Sequence, residues 1–146
     1  MLTEFQVISA VCAFLDRKGF RITQKLSETQ RGIDIRAIAR DGREVGIEAK
    51  GETSSMQHSA RYGKVFSPGQ VFDHVAKAMY TAACYSANGM LSGVAFPGNE
   101  SHVKQVAAIA HAFRTLEIEV FWVLPDATVQ VAGNWPYWEH HPDPST

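Results

Sequence analysis

Between Ile33 and Lys50 the chain alternates apolar and polar residues on both sides of an Asp-Gly, and this pattern restricts the fold more than any other stretch. Ile33, Ile35, Ala37 and Ala39 alternate with Asp34, Arg36 and Ile38. Val45, Ile47 and Ala49 alternate with Glu44, Gly46, Glu48 and Lys50. Side chains of a strand point to opposite faces with a period of two, so each run buries one row and presents the other. An Asp-Gly between two such runs is a strong hairpin signal. Loop length then decides which charges meet. A two-residue Asp41-Gly42 turn sets Asp34 opposite Ala49, with Asp34 and Glu48 on different faces. A three-residue Arg40-Asp41-Gly42 loop pairs Ala39 with Arg43 and sets Asp34 opposite Glu48, on one face. That loop needs a left-handed residue at its end, where Gly42 stands, so it is the expected one.

The remaining signals surround this hairpin. Thr3 and Gln6 form a T-x-x-Q capping box, and Phe5, Ile8, Val11, Cys12 and Leu15 follow at helical spacing until Gly19. Phe20 to Gln24 reads as a short strand that pairs with the next one. Ser67, Pro68 and Gln70 open a second helix running to about Ser86, with Asn88-Gly89 closing it. Val71, Val75, Met79 and Ala82 line one of its faces; Gln70, His74, Lys77 and Thr81 line another. Gly93 to Phe96 reads as a buried strand. A third helix, capped by Asn99 or Ser101, runs on through Val103, Val106, Ala107, Ala110 and Phe113. Strands over 118–124 and 128–131 complete the set. The tail from about residue 133 is aromatic and too proline-rich for regular structure. The order predicts one α/β domain over 1–146, with a mixed central sheet flanked by helices.

Composition excludes several classes. At 146 residues, with 45% hydrophobic and 20% charged residues, the chain is neither disordered nor fibrous. Its formal net charge of −1 excludes a globally basic nucleic-acid coat but not a local basic patch. Cys12 and Cys84 read as small, reduced core residues, and no CxxC supports a zinc site. Neither a signal peptide nor a membrane span is apparent, so no membrane and a cytoplasmic setting are expected.

Two carboxylates directly opposite on a sheet have Cβ atoms about 4.5–5.5 Å apart and repel each other. Such a pair calls for a cation. Mg²⁺, with Mn²⁺ as its substitute, suits two carboxylates, waters and a substrate phosphate. Lys50 shares the face of Glu48, where it can orient a water or offset charge developing on a phosphate.

Gly32-Ile33-Asp34 followed across a hairpin by Ile47-Glu48-Ala49-Lys50 resembles the PD-(D/E)xK nuclease superfamily, whose members include restriction endonucleases and Holliday-junction resolvases. Ile33 stands where the usual proline would be. The predicted elements over roughly 1–125 follow the α-β-β-β-α-β order of that restriction endonuclease-like core. The resemblance implies a metal-dependent DNA nuclease hydrolysing phosphodiesters. It implies that Asp34, Glu48 and the Ala49 carbonyl bind the metal and that Lys50 is the catalytic lysine. It also implies a first-helix glutamate near the metal, for which Glu4 is the candidate; an acidic residue there equally suits the helix dipole.

Other residues are expected around this site. Gln70 is either active-site support or simply part of its capping box. Arg61, Tyr62 and Lys64, in a long polar loop over 51–67, read as a nucleic-acid clamp, as does Arg36. Arg31, Arg40 and Arg43 add positive charge near the hairpin. Cutting both strands of a duplex would require a homodimer, for which Trp135, Tyr137 and Trp138 offer a contact surface, or else would pack back onto the domain. A partner protein that directs the enzyme to its substrate is a further expectation. The alternative reading is a catalytically inactive nuclease-fold module that binds nucleic acid or protein.

Overall fold

The structure, a computed structural model, describes residues 1–26, 31–53 and 65–138. Helix α1 spans Glu4–Arg17, and strands β1 (Arg21–Lys25), β2 (Ile35–Ile38) and β3 (Glu44–Ala49) follow. Helix α2 (Pro68–Ala87) leads to β4 (Leu91–Pro97), α3 (Glu100–Ala107), α4 (Ala110–Thr115), β5 (Glu119–Val123) and β6 (Val129–Val131). A 3₁₀ turn, Pro136–Trp138, lies in the tail that the sequence suggested would be irregular.

Both capping boxes form. The Thr3 hydroxyl accepts the Gln6 N–H at 3.2 Å while Gln6 accepts the Thr3 N–H at 2.8 Å. Ser67 and Gln70 repeat the exchange at 3.3 and 2.8 Å. Each pair satisfies two amide groups that a helix start leaves without partners. The third helix is interrupted. Ala108 holds only a long 3.4 Å bond to Lys104, and Ile109 switches to the Val106 carbonyl at 3.0 Å. No glycine or proline marks that break. Val106 and Phe113 both remain buried across it.

The six strands form one mixed sheet in sequence order. Strands β1, β2 and β3 are antiparallel, β3, β4 and β5 are parallel, and β6 returns antiparallel to β5. The sheet is covered on both faces. Val7, Val11 and Leu15 of α1 share one core with Val45, Ile47 and Ala49. Val71, Val75, Ala78 and Ala82 of α2 share the other core with Val94, Phe96 and residues of α3, α4 and β5. The two cores follow from the period-two pattern: odd-numbered residues of β3 face α1, so its even-numbered residues face the α2 side.

The hairpin has the three-residue loop. Ala39 donates to Arg43 and Gly42 donates to Ala39, both at 2.9 Å, and Gly42 has φ +90°. Strand pairs Ile35–Ile47, Ala37–Val45 and Ile38–Glu44 extend this register, which places Asp34 opposite Glu48.

At the far end of β3, Gly51 lies against the start of α1. A Cβ there would come within 2.7 Å of the Thr3 carbonyl carbon and 2.9 Å of the Leu2 oxygen, both backbone atoms, so only glycine fits. Thr3 and Thr53 form a parallel bridge beside it.

The tail aromatics pack back onto their own domain. Trp135 is 2% exposed, stacks on Phe20 and meets Phe121 edge-on. Buried Glu119 anchors them, accepting N–H groups from Gly133, Trp135 and the Trp138 indole at 3.0, 3.0 and 2.6 Å. Of the two uses expected of these aromatics, the structure shows packing onto the domain. Cys84 is corrected: it is exposed, whereas Cys12 is buried as expected, and both are free thiols. No helix among the described residues is long and apolar enough to cross a membrane.

Candidate metal and phosphate site

Asp34, Arg36, Glu48 and Lys50 occupy one face of the sheet, on the α2 side. Asp34 ends the ladder in an unusual way. Its Oδ2 accepts the Ala49 N–H at 2.8 Å, a bond that a backbone carbonyl would normally fill. The N–H and C=O of one strand residue point to the same edge, so the Ala49 carbonyl faces the Asp34 side as well. Lys50 is fixed by its own N–H, which bonds to the Ala95 carbonyl at 3.0 Å, and its ammonium lies 3.7 Å from Glu48 Oε2.

The two carboxyls interact with each other, so their titrations are linked. Burial, and after it the neighbouring Asp34 charge, push Glu48 up to about 7 against the opposing pull of Lys50. Asp34 is also raised by burial, against the Ala49 N–H, Glu48 and Lys50, which hold it down. A half-buried pair that keeps a proton near neutrality is a site where a cation can take that proton's place. Two facing carboxylates beside a backbone carbonyl are the kind of oxygen donors that Mg²⁺ or Mn²⁺ accepts while retaining several waters.

Helix α2 roofs this face. Its His74, Ala78, Thr81 and Tyr85 fall at i, i+4, i+7 and i+11, and all are buried or half-buried. Tyr85 donates its hydroxyl to Glu48 Oε1 at 3.1 Å, and its ring lies 3.1 Å from where a Cβ on Gly46 would be. Sequence reading missed Tyr85. The signal was present: extending the Gln70, His74, Lys77, Thr81 face by one more turn arrives at it. The His74 ring packs edge-on to Phe66, and burial and then Lys50 lower its pKa.

Other expected residues fall in different places. Glu4 opens α1, whose apolar stripe covers the opposite face of the sheet, and its backbone lies against Gly51, the residue after Lys50. Among the described residues, no three His, Cys, Asp or Glu side chains converge to hold a metal. Gln70 gives its Oε1 to the Ser67 N–H and so serves the capping box. Arg36 is exposed, two residues along β2 from Asp34 and on the same face. Arg40 is drawn away from the site, donating to the Tyr137 carbonyl at 2.8 Å and lying over its ring. Arg61, Tyr62 and Lys64 lie outside the described residues.

A second polar network adjoins Lys50. Glu52 accepts the Leu2 N–H at 2.7 Å and the Asn99 amide at 2.8 Å. Asn99 Oδ1 in turn takes the His102 N–H and Nδ1, both at 2.9 Å. Because the Asn99 nitrogen faces a carboxylate, its oxygen must face His102, which assigns the His102 proton to Nδ1. His102 is fully buried, and burial lowers its pKa to about 4.

No protein-family model matches the chain, and it has no match among the curated proteins or the solved structures. Its reading therefore rests on the geometry of the site.

Proposed function

We propose that this protein is a divalent-cation-dependent nuclease with a restriction endonuclease-like core, acting on DNA. One observation carries the reading: Asp34 faces Glu48 across an antiparallel pair, with Lys50 on the same face. The helix–three strands–helix–strand order from α1 to β4 supports it.

Asp34, Glu48 and the Ala49 carbonyl would hold Mg²⁺ or Mn²⁺. When bound, such a cation supplies Lewis-acid polarisation of a phosphodiester and a more acidic water. The chain's own residues do the rest. Lys50 offsets charge building on the phosphate and orients the attacking water. Arg36, exposed beside Asp34, contacts the phosphate backbone. Helix α2 keeps bulk water from the inner side of the pair, which strengthens each charge interaction there.

The test is a cleavage panel. Supercoiled, linear, branched and single-stranded DNA are incubated with Mg²⁺, Mn²⁺ or chelator, using wild type, Asp34→Ala and Lys50→Ala. Metal-dependent cleavage lost in both variants is the expected result. Binding without cleavage under every condition would instead support an inactive nuclease-fold module.

A further inference from the structure

We propose that Tyr85 sets which cation the Asp34–Glu48 pair accepts, by leaving Glu48 only one fully available oxygen. The inference rests on the reading of that pair as a cation site.

The geometry is asymmetric. Glu48 Oε1 takes the Tyr85 hydroxyl at 3.1 Å, whereas Oε2 faces Lys50 at 3.7 Å, too far for a hydrogen bond. Tyr85 is held from behind. It sits on the last turn of α2, a twenty-residue helix, with its ring over Gly46, the residue two before Glu48 on the same face. A larger residue at 46 would displace the ring, so the glycine and the tyrosine form one device. Asp34 is restricted in the same sense, because its Oδ2 is committed to the Ala49 N–H. Each carboxylate therefore has one oxygen committed to a donor outside the pair.

Cation chemistry makes this consequential. Ca²⁺ accepts bidentate carboxylates in flexible shells of six to eight oxygens at about 2.3–2.6 Å. Mg²⁺ and its analogue Mn²⁺ take single oxygens in a near-octahedral shell and keep several waters. A glutamate whose second oxygen is occupied by a phenol favours the small octahedral ion. Freed of that phenol, Glu48 can turn both oxygens to one ion. Tyr85 touches neither cation nor substrate; it is a positioning residue and acts through Glu48.

The experiment is calorimetric titration of the full chain with MnCl₂ and CaCl₂, comparing wild type, Tyr85→Phe and Tyr85→Met. Phenylalanine keeps the ring against Gly46, and methionine fills the space without a donor, so the pair separates the hydroxyl from the ring. Wild type should prefer Mn²⁺. In both variants the Ca²⁺ affinity relative to Mn²⁺ should rise by about tenfold, the scale on which outer partners of metal ligands act. General loosening of the helix would weaken both ions together and leave the ratio unchanged. Folded variants that bind both ions with the wild-type ratio would overturn the role of Tyr85 while leaving the carboxylate site intact. A wild type that binds neither ion would overturn the site itself, and this inference with it.

Discussion

Asp34 caps the Ala49 amide across the end of the β2–β3 ladder, at 2.8 Å, and so carries a structural duty beside its proposed cation-binding one. Two substitutions separate these duties. Asp34→Asn retains an oxygen for the Ala49 N–H and removes the charge. It should fold with wild-type stability and lose Mn²⁺ binding in calorimetry. Asp34→Ala removes both, and should lose about 1 kcal/mol in urea unfolding as well. Equal stability losses in the two variants would show that the Ala49 bond contributes nothing.

Glu48 should make the protein without a bound cation less stable as pH rises. Its carboxyl titrates near 7 in the folded chain against 4.5 as the reference value. Between those values the folded state holds a proton that the unfolded state has released, so stability falls as pH increases through this window. The loss should be on the order of 3 kcal/mol at most, shared with the coupled Asp34. Urea midpoints measured from pH 4.5 to 8 in chelator should decline. Glu48→Gln should flatten the curve, and saturating Mg²⁺ should remove most of it from wild type.

His102 acts in the other direction. Its folded pKa of about 4 lies below the reference value of 6.5, so the unfolded chain binds the proton first on acidification. Stability should therefore fall as pH drops from 6.5 towards 4, by an amount on the order of 3 kcal/mol. His102→Phe, which can retain the ring packing on Phe96, should lack this acid dependence. The readout is the difference between the two proteins' urea midpoints at each pH. A constant difference would refute the assignment.

Glu119 should be the most sensitive position of the tail anchor. Glu119→Ala leaves the Gly133, Trp135 and Trp138 donors without their acceptor in a buried setting. One unmet buried group costs about 1–3 kcal/mol, so three should cost about 3 kcal/mol or more. Tryptophan emission should shift to the red as Trp135 gains water. An unshifted spectrum with full stability would mean the tail is held by ring packing alone.

Much of this architecture was legible because the signals are local. The Thr3–Gln6 and Ser67–Gln70 boxes place the two long helices by hydrogen bonds within four residues, and Gly42 fixes the loop by its own backbone conformation. Asp34 and Glu48 could be brought together on paper because strand parity does the work. What was missed depends on contacts between distant segments. Tyr85 meets Glu48 only when α2 lies on the sheet. That Trp135 packs onto the domain was one of two expectations, and what anchors it there, Glu119 and Phe121 of β5, is not revealed by the tail's own composition.

The Ala39–Arg43 pair that closes the loop acts as a parity bit for the whole face. Slipping β2 by one residue along β3 would turn Glu48 and Lys50 towards α1 while Asp34 stayed behind, exchanging charged residues for Ile47 and Ala49. A slip of two would restore the face but not the pairing of Asp34 with Glu48. Residues added or removed between Ala39 and Arg43 leave that register untouched as long as the pair itself closes the turn, so the site depends on where the strands lock and not on how long the loop is.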